Sequence, residues 1–128
     1  MALGQPGQMT HTPRDVGAFG EGLAARFLVD RGMTIVGRNW RCSHGELDLI
    51  ARDGDCLVFC EVKTRRGTGF GQPVEAVSWR KAARLRKLAA AWLASSGQSA
   101  ESVRIDVVGI LVRAGQPPLV RHVAGVGP

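Results

Sequence analysis

Residues 45 to 64 read Gly45-Glu46-Leu47-Asp48-Leu49-Ile50-Ala51-Arg52-Asp53-Gly54-Asp55-Cys56-Leu57-Val58-Phe59-Cys60-Glu61-Val62-Lys63-Thr64. Two apolar-rich runs, Glu46–Arg52 and Cys56–Thr64, flank Asp53-Gly54-Asp55, whose Asp-Gly pair suits a tight turn, so the stretch predicts a β-hairpin. Side chains on a strand alternate between its faces. In the first run Glu46, Asp48 and Ile50 then share one face, and Leu47, Leu49 and Ala51 the other. In the second, Leu57, Phe59, Glu61 and Lys63 point one way, and Cys56, Val58, Cys60 and Val62 the other. Apolar residues on both faces predict a sheet covered on both sides. Acids and a lysine on such strands stand out, because buried charge must be paired or hold a cation.

Working outward, residues 15 to 31 carry Val16, Phe19, Leu23 and Phe27 at helical spacing, with Asp15 as N-cap and Gly32 as stop. Gly17, Gly20 and Gly22 each weaken a helix and suggest close approach of another backbone. Glu21 lies opposite the aromatic stripe, on a face with Gly17, Ala24 and Leu28; helix periodicity alone makes it an exposed glutamate. Residues 34–41 read as a strand. After the hairpin, a Gly-rich loop from Arg66 to Pro73 leads into a helix over 74–95, striped by Trp79, Ala82, Leu85, Leu88, Ala89 and Trp92 and ended by Gly97. Residues 103–112 predict a buried strand, and 119–123 a short edge strand after Pro117-Pro118. A Gly- and Pro-containing leader over 1–14 and a fraying tail at 125–128, beginning near Ala124, bracket one domain at 15–124. The order helix, three strands, helix, strand, strand predicts an α/β fold with a mixed central sheet flanked by helices.

The composition agrees with one domain. The chain has 128 residues, 45% of them hydrophobic, enough for a real core. No apolar run is long enough to span a bilayer and no signal-peptide core is present, which excludes membrane and secreted readings. Cys42, Cys56 and Cys60 are odd in number and form no C-x-x-C, so neither a disulfide framework nor a zinc ribbon is supported, and a cytoplasmic location fits. The net charge of +6 favours a polyanionic partner, nucleic acid being the commonest, although many small proteins are basic for no catalytic reason.

The hairpin places Asp48 and Glu61 nearly opposite each other. Adjacent carboxylates repel unless something compensates them. A divalent cation does so, and hard oxygen donors suit Mg²⁺ or Mn²⁺. Lys63 shares the Glu61 face and is within reach of the same substrate. The plainer alternatives are a Glu61–Lys63 ion pair and an Asp48 bond to a backbone amide. Lysine is rare here, three of 17 basic residues, and offers a compact ammonium whose pKa is tunable where arginine's is not. That favours a chemical site over the alternatives.

These residues carry a resemblance. Gly17-Ala-Phe-Gly20-Glu21-Gly-Leu-Ala24, Arg38-Asn39-Trp40-Arg41, Gly45 to Ile50, Phe59-Cys-Glu61-Val-Lys63-Thr-Arg65, Phe70 to Val77, Lys81 and Arg104-Ile-Asp106-Val107-Val108 resemble the YraN family (UPF0102) over roughly residues 16 to 123. That family is similar to archaeal Holliday-junction resolvases and to the restriction-endonuclease-like PD-(D/E)-x-K nucleases. The resemblance implies a restriction-endonuclease-like αβββαβ core. It implies that Asp48, Glu61 and the carbonyl of Val62 hold Mg²⁺ or Mn²⁺, with Glu21 as a direct or water-mediated ligand and Lys63 as the catalytic lysine. Leu47 stands where the namesake motif has proline. The implied activity is metal-dependent hydrolysis of nucleic-acid phosphodiesters, with branched or flapped DNA favoured.

Arg80, Arg84 and Lys87 recur along one face of the second helix and suit phosphate contacts, or equally a solvated surface. Lys81 lies near the helix start, where related nucleases often place a polar residue facing the site. Arg65, Arg66 and Gly67-Thr68-Gly69 suit a loop over the substrate backbone. Glu46 reads as support for Asp48 or as an exposed residue; His44 and Trp40 are explained by turn polarity and packing. The rival classes are a non-catalytic nucleic-acid-binding module that keeps the fold, and an interaction protein whose acids bind metal for stability. A homodimer is expected by analogy with enzymes that cut two symmetric strands.

Overall fold

The computed structural model describes residues 13–67 and 78–127, with side chains from Val16 onward. In chain order the elements are α1 (Pro13–Asp30), β1 (Thr34–Cys42), β2 (Gly45–Asp53), β3 (Cys56–Arg66), α2 (Trp79–Ser96), β4 (Ser102–Val112) and β5 (Leu119–Val123). The five strands form one sheet in the order β1-β2-β3-β4-β5. β3 and β4 are parallel and every other neighbouring pair is antiparallel. The fold is therefore α/β with a mixed sheet, consistent with a restriction-endonuclease-like αβββαβ core. The parallel pair exists because α2 carries the chain back across the sheet before β4 begins.

Each helix covers one face. Ala24, Ala25 and Leu28 of α1 pack with Leu49, Ala51, Val58, Cys60, Val108 and Ile110. Leu85, Leu88, Ala89 and Trp92 of α2 pack with Leu47, Ile50, Leu57, Phe59, Ile105 and Val107. Cys42, Cys56 and Cys60 are free thiols. Among the described residues no helix is long and apolar enough to cross a membrane.

Several expectations are corrected. α1 begins at Pro13, a residue well suited to a first helical turn, so Asp15 lies inside that turn and does not cap it. Residues 1–12 of the expected leader, most of the Gly-rich loop and the expected helix start at 74–77 lie outside the described residues. The described helix opens at Ser78, whose hydroxyl accepts from the Lys81 amide, and closes at Gly97 with φ 74°. The buried face of α1 is offset from the expected stripe, of which Leu23 and Phe27 pack at its edge, partly buried. Phe19 is 50% exposed, while Gly20, Ala24, Ala25 and Leu28 face the sheet. Of the three α1 glycines, only Gly20 meets a neighbour: a Cβ there would fall 1.8 Å from Thr64 Oγ1. Trp79 also leaves its predicted stripe and is 74% exposed. It is the first helical residue, and its one-turn neighbour Ala83 is exposed like Arg86 beyond it, while Ala82, Leu85 and Leu88 face inward. The tail is not frayed through Gly127. The Gly125 amide donates to Asp106 Oδ1 (3.0 Å), the Val126 amide to the Ile105 carbonyl (2.8 Å), and Val126 is buried.

Candidate functional site

The hairpin turn places the acids. Asp53 pairs with Cys56, leaving Gly54 (φ 60°) and Asp55 as the two turn residues. Gly in the first of two central positions, with no positive φ at the second, is the pattern of a type II′ turn. The register set there runs to Leu49↔Cys60 and stops. The next residues on the two strands are Asp48 and Glu61, so both lie where the β2–β3 ladder ends. Past this point β2 keeps its β1 partners and β3 its β4 partners, which leaves a fork between them.

β2 does not alternate strictly through the fork. Leu47 joins the α2-side core with Ile50, whereas Leu49 and Ala51 join the α1 side. The expected common face of Leu47, Leu49 and Ala51 is thus corrected, and the step is lost at Asp48. Across β1, Arg38 pairs with Leu49 and Trp40 with Leu47, so Asn39 lies opposite Asp48; Asn39 has φ 50°. Asparagine tolerates that left-handed conformation better than most residues. Asp48 Oδ2 accepts from the Val62 amide at 2.8 Å, in place of the missing ladder bond. Its carboxylate therefore lies between the strands, close to the plane of the sheet.

That position exposes Asp48 to acids from both sides. Burial pushes its pKa up to about 6; the Val62 amide opposes the rise, and the charges of Glu21, Glu61 and Glu46 add to it. Glu21 arrives from α1 because Gly20 allows the helix to lie against Thr64 of β3. It belongs to the sheet-facing side of α1, the reverse of the exposed role that the aromatic stripe suggested. Burial also raises the Glu21 carboxyl, against a hydrogen bond with Asn39 that lowers it. Asn39 was not singled out as a site residue from sequence. Its signal is an asparagine inside an otherwise strand-like run.

Glu61 and Lys63 follow Leu57 and Phe59 on the α2 side. Glu61 does not pair with Lys63: its Oε2 contacts Lys81 Nζ, with the two side chains 13% and 30% exposed. The Ser78 cap fixes the helix start and so aims Lys81 at the sheet. Lys63 is half-buried. Burial and the nearby Lys81 charge hold its ammonium below the usual lysine range, with Glu61 opposing. Glu46 is exposed and bound to Arg41 (3.2 Å). Arg65 and Arg66 are exposed at the end of β3, and Arg80, Arg84 and Lys87 are exposed on α2.

The structure thus brings Asp48, Glu21, Glu61, Val62, Lys63 and Lys81 to one fork. Among the described residues no three His, Cys, Asp or Glu side chains converge closely enough to hold a metal ion. With Lys81 on it, Glu61 already has a cation.

A second polar cluster escaped the sequence reading. Asp106 of β4 is fully buried and accepts from Arg104 Nε (2.8 Å) and from the Gly125 amide (3.0 Å), and it bonds His122 Nε2 (2.8 Å). Burial pushes its pKa up, but these hydrogen bonds win and hold the carboxyl below the usual aspartate value. It ties the tail to the sheet.

The family model described as "Uncharacterised protein family UPF0102" matches residues 20–110. A UPF0102 protein of Nocardia farcinica is 55% identical over 111 residues, covering 87% of each chain. One from Rhodococcus jostii is 56% identical over 108 residues, 84% of this chain and 92% of the relative. One from Acidothermus cellulolyticus is 53% identical over 120 residues, covering 86% and 91%. The matched span contains every residue of the fork.

Proposed function

This chain belongs to the UPF0102 family, and on that premise we propose that it is a metal-dependent endonuclease acting on nucleic acid, with branched or flapped DNA favoured. The observation that carries the proposal is Asp48 in the fork, bonded by the Val62 amide, with burial first and the charges of Glu21 and Glu61 after it raising its pKa to about 6. A purely structural aspartate gains nothing from such neighbours, and a pure nucleic-acid binder gains nothing from carboxylates beside phosphate. The donors are all oxygens whose mutual repulsion positive charge would relieve, the chemistry of a hard divalent cation; no three acids among the described residues converge as they stand, so Glu61 would have to leave Lys81 to complete the set.

Asp48, Glu61, the Val62 carbonyl and Glu21 would hold Mg²⁺ or Mn²⁺. When bound, such an ion polarises the scissile phosphate and lowers the pKa of an attacking water. Val62 orients Asp48 through its amide, and Asn39 holds Glu21 toward the fork. Lys81 neutralises Glu61 and would exchange that contact for metal and substrate. Lys63, with its depressed pKa and an acid two residues away on the same face, is suited to orient the water or to offset charge building on the phosphate. Arg65 and Arg66 beyond the fork, and Arg80, Arg84 and Lys87 on α2, would meet the backbone on either side.

The test is cleavage of flapped and branched DNA with Mg²⁺ or Mn²⁺. Asp48→Asn and Lys63→Ala should each lose cleavage by at least about 100-fold while binding persists. Cleavage unchanged in both variants would overturn the proposal, and wild-type protein that binds tightly yet never cuts would select the non-catalytic module.

A further inference from the structure

A single exposed apolar side chain needs no explanation in itself; the setting of Trp79 is what gives it meaning. Its indole is 74% exposed at the start of α2, more than Phe19 or Val29 at 50% each. One helical turn along the same outward face, Ala83 lines a shallow cavity of about 370 Å³ together with His44, Arg80, Arg84 and Lys87. That wall carries three cations and no carboxylate. None of the ion pairs among the described residues engages Arg80, Arg84 or Lys87. Two residues from Trp79, a Cα separation of about 5.4 Å on an α-helix, Lys81 turns the opposite way and touches Glu61 in the fork. One helical turn thus presents a bare indole and a cationic groove outward and a contact to the candidate centre inward.

A basic groove that follows the phosphates and an aromatic face that takes a base are the two requirements of single-strand recognition. Bases within a duplex are already stacked on each other and offer the indole no free face. We propose that Trp79 is a stacking platform for an unpaired base, on a strand whose phosphates run along Arg80, Arg84 and Lys87. This rests on the nuclease reading and narrows its substrate to nucleic acid with an unpaired nucleotide beside the cut, such as the root of a flap or fork.

Fluorescence anisotropy with Ca²⁺ in place of Mg²⁺ tests it, using a labelled duplex and the same duplex bearing a single-stranded flap. Wild type should prefer the flap roughly tenfold, a stacking-sized effect. Trp79→Ala should remove the preference and leave duplex binding alone; Trp79→Phe should keep most of it. Arg84→Ala should instead weaken both probes alike and lower the salt slope by about one. Oligo-dT should quench part of the tryptophan emission of wild type, and Trp79→Phe should lose that quenching while still binding. A flap preference that survives in Trp79→Ala, or quenching that survives in Trp79→Phe, overturns the platform while leaving the nuclease reading standing. Wild-type protein that binds neither probe fails the nuclease reading itself.

Discussion

Gly20→Ala is the sharpest test of how the helix is placed. Alanine normally stabilises a helix interior relative to glycine by about 1 kcal/mol. At Gly20 the new Cβ would lie 1.8 Å from Thr64 Oγ1 and 2.9 Å from both Thr64 Cβ and Cγ2. Ordinary contact begins near 3.4 Å, so the approach is about 1.6 Å too close. Rotating Thr64 can at best turn its Cβ hydrogen toward the new methyl, and its Cβ, 2.9 Å away, does not move with χ1. α1 must therefore withdraw from β3, and overpacking of this kind costs about 1–3 kcal/mol. Net of the propensity gain, Gly20→Ala should lose up to about 2 kcal/mol, or up to about 8 °C in Tm for a chain this size. Gly17→Ala and Gly22→Ala, which meet nothing within 4 Å, should gain up to about 1 kcal/mol. Thr64→Ala removes two of the three clashing atoms, so the double variant should recover at least about 0.5 kcal/mol of coupling. Thermal and urea unfolding of wild type, the four single variants and the double variant give the answer. Gly20→Ala as stable as Gly22→Ala would refute the close approach, and with it the route by which Glu21 reaches the fork.

Three further outcomes follow from the charges. The Asp48 carboxyl titrates near 6 in the folded chain against 3.8 ordinarily, so its ionisation costs stability that grows as pH rises from about 4 through 6. Asp48→Asn should thus unfold at higher temperature than wild type in metal-free buffer at pH 7.5, by up to about 3 kcal/mol, with the gap closing at pH 4. Lys81→Met removes the ammonium that competes for Glu61 and should tighten Mn²⁺ binding, read by electron paramagnetic resonance, about fivefold; weaker binding would refute the competition. The Asp106 carboxyl is held below its ordinary value, so its contribution is present above about 4 and lost as pH falls through the folded value. Asp106→Asn should cost about 3 kcal/mol at pH 7 and less at pH 3, measured by denaturant unfolding.

The element order was legible because it depends on local signals. The Asp-Gly turn set the β2–β3 register, and Gly97 ended α2 where a left-handed residue was needed. Helix facing was less legible. In α1 the small residues Gly20, Ala24 and Ala25 touch the sheet, whereas the larger Phe19 is left out, because close packing rewards fit over side-chain size. A stripe drawn through the bulkiest residues is therefore rotated from the buried face, with only Leu23 and Phe27 at its edge, and it turned Glu21 outward. In α2 the periodic rule held from Ala82 on and failed only at Trp79, the first helical residue. Asp106 was unreadable as a buried acid, since its partners come from His122 and Gly125, 16 and 19 residues away.

The failure at Asp48 is of another kind and bears directly on function. Strict alternation puts Leu47 and Leu49 on one face, yet they enter different cores. With alternation intact, Asp48 would project to one side of the sheet, and either the Glu21 side or the Glu61 side would be out of its reach. With the step lost, and with Asn39 taking up the irregularity on β1, the carboxylate lies between the strands and feels acids from both helix layers. The position that departs from the strand rule is the one where charge is concentrated, which is where departures from local consistency are expected at a working site. A protein selected for stability alone would restore the ladder bond at Val62 and place an apolar residue at 48.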